Sequence, residues 1–202
     1  MYYTGIGSRE TPIEIQHLMI YISKLMYSKG YTLRSGGANG ADLAFETLIS
    51  DKKEIYLPWK NFNNSLSPLY NISKEAFELA STLHPNWNSL SDGAKKLMAR
   101  NCYQILGHNL ATPSDVVICW TPDGCTSHSS RTSRTGGTGQ AISLASLYDI
   151  PIYNLANYND IVQLLTTIQH IKEIVRNYPD SSNLQKQELT YSNSGQEKTQ
   201  PE

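Results

Sequence analysis

The chain has 202 residues, 39% of them hydrophobic, with 17 basic against 18 acidic side chains and a formal net charge of −1. That length supports one domain with a substantial core rather than two, and the near-neutral balance excludes an overall electrostatic pull toward nucleic acid or an anionic membrane. Three cysteines, Cys102, Cys119 and Cys125, show no paired spacing and fit no closed disulfide framework, which points to a reducing compartment; with His84, His108 and His128 they also lack the tight ligand pairs of a structural zinc site.

The start, Met1-Tyr2-Tyr3-Thr4-Gly5, has no leader pattern, and no apolar stretch approaches the length of a bilayer span. The sequence therefore predicts a cytoplasmic protein with no membrane partner. Tyr2 to Gly5 reads as a first strand. From Pro12, Ile15, Leu18, Met19, Ile22, Leu25 and Met26 repeat at helical spacing, with Gly30 as the stop. A second strand covers Tyr31 to Arg34, a helix runs from about Asn39 through Leu48 and Ile49, and Ile55 to Leu57 forms a third strand closed by Pro58. Asn61 to Tyr70, rich in Asn, Ser and Pro, reads as loop. Helices follow at Ser73 to Leu83 and Ser91 to about Leu106. Asp115 to Trp120 carries the almost continuous apolar run Val-Val-Ile-Cys-Trp, expected of a strand covered on both faces. A long polar loop, Thr121 to Thr135, leads to a helix starting near Gly137; a strand at Ile150 to Asn154 and a helix at Ile161 to Val175 complete the pattern. The alternation predicts an α/β fold, a Rossmann-like parallel β-sheet flanked by helices in a single domain over 1–175. Residues 176–202 are polar and predict a disordered tail.

Ligands of such sheets sit beyond the carboxyl ends of the strands. Three segments qualify by position and composition: Gly5-Ile6-Gly7-Ser8-Arg9, Ser35-Gly36-Gly37-Ala38-Asn39-Gly40, and Thr135-Gly136-Gly137-Thr138-Gly139-Gln140. Glycines let the backbone turn and approach a ligand, and amides at a helix start attract anionic oxygens. Ordinary strand-to-helix turns use the same residues. Neither standard nucleotide fingerprint is met, since Glu10 stands where a dinucleotide motif has its third glycine and no Gly-Lys-Ser/Thr occurs. Asp42 and Glu46, four apart, share a helix face; either would suit a ribose hydroxyl or act as a general base, and either equally suits a first-turn or surface acid. Arg9 suits a phosphate or a surface ion pair with Glu10 or Glu14. The loop 121–135, with Asp123, His128, Arg131 and Arg134, is a binding loop or a mobile insertion.

In this order, Gly5 to Arg9, Ser35 to Asp42, Arg100-Asn101 and Gly136 to Ala141 resemble the SLOG superfamily, over about residues 1 to 156, with Ser35 to Asp42 the most specific part. That group includes the DNA-processing protein A (Smf) family, the LOG phosphoribohydrolases and small phage-encoded relatives, which the compact chain most resembles. The resemblance implies a nucleotide or nucleotide-derived ligand held by Gly7, Ser8, Arg9, Ser35, Gly36, Gly37, Ala38, Gly40, Asp42, Arg100, Asn101, Gly136, Gly137, Thr138, Gly139 and Gln140, with no cofactor and no metal. LOG enzymes carry Pro-Gly-Gly-x-Gly-Thr-x-x-Glu; here Thr135, Gln140 and Ser143 replace its Pro, Thr and Glu, so the usual catalytic glutamate is missing.

These readings favour a binding protein that sequesters a cyclic-nucleotide or ADP-ribose-type defence signal, in the host cytoplasm for a phage-encoded chain. The first alternative is an enzyme acting at an N-glycosidic or phosphate bond through Asp42 or Glu46. A single-stranded DNA-binding recombination mediator is the second; DNA is not the favoured partner, since no basic surface is evident. The resemblance also implies a homo-oligomer.

Overall fold

The computed structural model describes residues 1–168. Five parallel strands, β1 (Tyr2–Gly7), β2 (Thr32–Ser35), β3 (Lys53–Ile55), β4 (Val116–Trp120) and β5 (Ile152–Asn154), form one sheet in the order β3-β2-β1-β4-β5. The helices are α1 (Ile13–Ser28), α2 (Ala41–Glu46), α3 (Lys74–Leu83), α4 (Asp92–Leu106), α5 (Thr138–Leu147) and α6 (Tyr158–Thr167). The sheet and α1 to α5 lie within the unit Met1–Leu164. This is the Rossmann-like arrangement that the alternation predicts. The part of the last expected helix after Ile168, and the polar tail, lie outside the described residues.

Alternation along β1 sorts the two faces of the sheet. Thr4 and Ile6 turn toward α4: the Thr4 hydroxyl donates to the Gln104 carbonyl at 2.6 Å, and Ile6 joins a core with Ala99, Cys102 and Ile105 of α4, Val117 and Cys119 of β4, and Ala141, Ile142 and Ala145 of α5. Tyr3, Gly5 and Gly7 turn toward α1 and α2, where Tyr3 meets Phe45 edge-on. A Cβ on Gly5 would stand 2.5 Å from Phe45 Cγ, and one on Gly7 2.7 Å from Ala41 Cβ. These two glycines therefore let α2 lie flat on the sheet.

Helix starts follow from local chemistry. Ser73 and Ser91 cap α3 and α4, each accepting the backbone N–H three residues on, at 3.3 Å. Val117, Ile118 and Cys119 are fully buried, as the apolar run of β4 requires.

Several boundaries differ from the expected ones: β2 spans Thr32–Ser35 rather than Tyr31 to Arg34, α6 begins at Tyr158 rather than Ile161, and four further shifts have a local cause. β1 continues through Gly7, because Ile6 and Gly7 pair with Cys119 and Trp120 of β4. β3 occupies Lys53–Ile55 rather than Ile55 to Leu57, since Leu57 N–H turns away to the carbonyl of Leu69 at 2.7 Å. α2 stops at Glu46 because Thr47 and Ile49 bond three residues back, at 3.4 and 3.1 Å, which tightens the chain out of the α-helix. β5 starts at Ile152, after Pro151, whose ring leaves no N–H to give to the ladder.

Candidate functional site

In the order β3-β2-β1-β4-β5, the chain reverses direction across the sheet between β1 and β4, so the loops leaving these strands diverge and open a crevice at their carboxyl ends. A cavity of about 400 Å³ lies there. Gly7, Ser8 and Arg9 line it from β1, Ala38 and Asp42 from the β2–α2 turn, Arg100 and Asn101 from α4, and Gly136, Gly137 and Thr138 from the start of α5. The three glycine-rich segments singled out in the sequence thus meet at one place.

Its floor is a buried polar cluster. Arg100 and Asp42 pair at 3.4 Å while only 5% and 4% exposed, and the same Asp42 oxygen accepts the Ala38 N–H at 3.4 Å. Burial pushes the Asp42 carboxyl above its usual range, against the pull of Arg100 and the Ala38 amide, and burial likewise lowers Arg100. Gln104, one turn after Arg100, completes the cluster: its amide oxygen accepts from Gly36 N–H and Arg100 at 2.9 Å each, and its amide nitrogen donates to Asn101 at 2.9 Å. Asn101 in turn donates to the Gly137 carbonyl at 3.1 Å. The Arg-Asn pair thereby ties the β2–α2 turn to the start of α5. Among the described residues, the buried Arg100 Nε has no hydrogen-bond partner.

The upper wall has a different character. Arg9 and Arg134 line it and are exposed. Neither pairs with a carboxylate among the described residues; the Arg134 guanidinium donates to the Pro122 carbonyl at 3.4 Å. No side chain caps α5; the Gly139 and Gln140 amides bond back to the Gly136 and Gly137 carbonyls at 3.2 and 3.3 Å, which leaves the amide of Thr138 to face an anion. Ile6, Leu97, Met98 and Pro122 supply an apolar side to the same cavity. A cationic rim beside an apolar wall accepts a ligand that is anionic at one end and flat and apolar at the other.

Six expected site residues stand behind this wall instead of in it. Ser35 is buried and donates to the Gly5 carbonyl at 2.7 Å. Gly36 lies against Arg100, whose guanidinium fills the place of a Cβ. Gly37 gives its carbonyl to Asn63 at 3.1 Å, and Gly40 packs beneath the backbone of Ser8 and Arg9. Gly139 makes room for Arg131, and Gln140 donates to the Ala80 carbonyl at 2.9 Å, fastening α5 to α3. Arg34, at the head of the expected loop, is a buried β2 residue paired with Glu54 at 2.8 Å. Ser143, where LOG enzymes have their glutamate, is fully buried and outside the cavity lining. Glu46 also lies outside it, lining a separate depression with Lys53 and Leu69.

Glu10, Leu97, Met98 and Gln104 line the cavity without having been expected there, and the loop read as a binding loop or a mobile insertion contributes Pro122, Arg134 and Thr135. Helical spacing carried a signal for Gln104 and Leu97, four after and three before Arg100. Nothing in the sequence singled out Arg134 among the cations of its loop. That loop is braced: Asp123 accepts from the hydroxyls of Thr132 and Thr135 at 2.6 Å each, and Asn154 donates to Thr121 and to the Cys125 carbonyl at 2.7 and 2.9 Å. Burial works against the Asp123 charge, yet the hydrogen bonds from Thr132, Thr135, Thr121 and the Cys125 amide outweigh it and hold the carboxyl down to about 2.

Among the described residues, no group of His, Cys, Asp and Glu is placed to hold a metal, and the three cysteines are buried and free. No described helix is long and apolar enough to cross a membrane.

Fold and cavity together define an α/β protein with a polar crevice at the switch point of a Rossmann-like sheet. No protein-family model matches the chain, and no curated protein matches it. Among solved structures it is similar to DNA processing protein A from Helicobacter pylori, described for that protein's mode of binding single-stranded DNA, at 18% identity and a TM-score of 0.49, over 88% of this chain and 79% of the other.

Proposed function

We propose that this protein binds a nucleotide or nucleotide-derived small molecule in the switch-point cavity and holds it without turning it over. The observation that carries the reading is the pair Arg9 and Arg134, without carboxylate partners among the described residues, on the rim of a cavity whose other side is apolar. Phosphate oxygens take Arg9, Arg134 and the Thr138 amide at the start of α5, and the base lies against Leu97, Met98 and Pro122. Asp42 supports holding rather than chemistry, because its carboxylate is engaged by Arg100 and the Ala38 amide. Such a role suits sequestration of a nucleotide-derived signal.

Calorimetry with AMP, cyclic nucleotides and ADP-ribose tests this reading. At least one of these ligands is expected to bind, and Arg9→Ala or Arg134→Ala to weaken it about tenfold, the worth of one charge-assisted hydrogen bond. Both side chains are exposed, so the fold should survive. Absence of binding across the panel sinks the proposal.

A further inference from the structure

Gly136 lines two cavities. Beyond it lies a second one, of about 720 Å³, walled by the end of α3 and the following turn, Thr82 to Asn86, and by His128, Arg131, Thr132 and Ser133 of the β4–α5 loop. Gly136 has a φ of +62°, and nothing lies within 4 Å of where its Cβ would stand. A backbone without a side chain therefore separates the two spaces.

Arg131 is built into the second cavity. Its side chain crosses the first turn of α5, where a Cβ on Gly139 would stand 2.6 Å from its Nε, and Nη1 donates to the Leu83 carbonyl at 3.4 Å. No carboxylate pairs with it among the described residues. A positioned, part-buried guanidinium without a counter-ion calls for an anion from outside the chain. His84 faces the same cavity. Its Nδ1 accepts the Asn86 N–H at 3.2 Å, which leaves the proton of a neutral ring on Nε2 as a donor. Burial, and then the charge of Arg131, hold this imidazole below its ordinary pKa, so the ring is neutral near pH 7. It meets Trp87 edge-on at 6.5 Å, and Trp87 meets Phe77 in the same way. Trp87 and Phe77 stand outside the cavity lining and back the His84 ring, a neutral aromatic face that the cavity offers to a nucleobase.

We propose that the second cavity takes the second nucleotide unit of a dinucleotide whose first unit fills the switch-point cavity. Arg134 holds the phosphate on the inner side of Gly136 and Arg131 the one on the outer side. The proposal rests on the nucleotide-binding reading above and names its ligand class. Size agrees, since about 400 Å³ accommodates one nucleotide and the second cavity adds room for another of similar bulk.

The test compares AMP, NAD⁺, the 5′-phosphorylated dinucleotide pApA and the strand dT12 by calorimetry on the full chain. At least tenfold tighter binding of pApA or NAD⁺ than of AMP is expected, reduced to the AMP level by Arg131→Ala, which leaves AMP itself unchanged. The variant His128→Ala, at an exposed position, should weaken the dinucleotide about threefold and keeps the test valid if Arg131→Ala fails to fold. Equal affinity for AMP and both dinucleotides overturns the second subsite while leaving the first reading intact. Failure of every ligand to bind removes both. Tighter binding of dT12 than of any dinucleotide, weakening steeply with salt, replaces the small-molecule ligand with a nucleic-acid strand.

Discussion

Glu46 lies one helical turn beyond Asp42, behind the β2–α2 turn, and among the described residues its buried Oε1 has no hydrogen-bond partner. Burial, and then repulsion from Asp42, raise its pKa from 4.5 to about 7. An acid whose folded-state pKa is raised leaves stability intact below the unfolded value and erodes it as pH climbs through the folded value. The loss thus begins near pH 4.5, where an unfolded Glu46 ionises, and is complete a little above pH 7. Glu46→Gln removes the ionisation and keeps the shape. We expect the variant to be more stable than the parent by about 1–3 kcal/mol at pH 8 and no more stable at pH 4, as read from urea midpoints at the two pH values. A pH-independent difference would show that Glu46 is not the titrating group.

At the scale of elements, the β2–α2 turn is held from outside by α4. Gly36 donates its amide to Gln104 and leaves room for Arg100, whose guanidinium lies where a Cβ would stand. Gly36→Ala must displace Arg100 and strand the buried Asp42, at a cost of about 2–4 kcal/mol. Gly93, at the exposed start of the same α4, has nothing within 4 Å of a Cβ, so Gly93→Ala should be neutral or stabilising by about 0.5 kcal/mol. Denaturant unfolding of the two variants checks the contrast; equal effects would mean that Gly36 makes no close approach. Periodicity and turn residues sufficed to read the strands and helices, because β4 is apolar throughout and α3 and α4 open on serine caps. They sufficed less well for the site. Gly5, Gly36, Gly40 and Gly139 satisfy the composition of a ligand loop, but each owes its missing side chain to a neighbour, Phe45, Arg100, the Ser8–Arg9 backbone or Arg131. These neighbours are distant in sequence or belong to other elements, so local spacing carries no record of them. Gln140 was illegible for the same reason, its partner being the Ala80 carbonyl of another helix.

For the molecule as a whole, the cavity exists only where the sheet brings distant segments together. Gly7 and Trp120 are register partners across β1 and β4, and the turn at Ala38 and the start of α5 at Thr138 are a hundred residues apart in the chain. No single loop or helix hairpin retains the site after the sheet has opened. The native state is therefore the only one able to bind, and ligand must stabilise the unit Met1–Leu164 as a whole by mass action. At a ligand concentration one hundred times its Kd the gain is about 2.7 kcal/mol, which for a domain of this size raises Tm by about 5–10 °C. Scanning calorimetry with and without a ligand found in the binding panel measures it. The expected result is an upward shift of the main unfolding transition, growing with ligand concentration. A shift confined to a minor early transition would mean that the loops around Gly136 order themselves on the ligand independently of the sheet, and the topological origin assigned to the site would then be wrong.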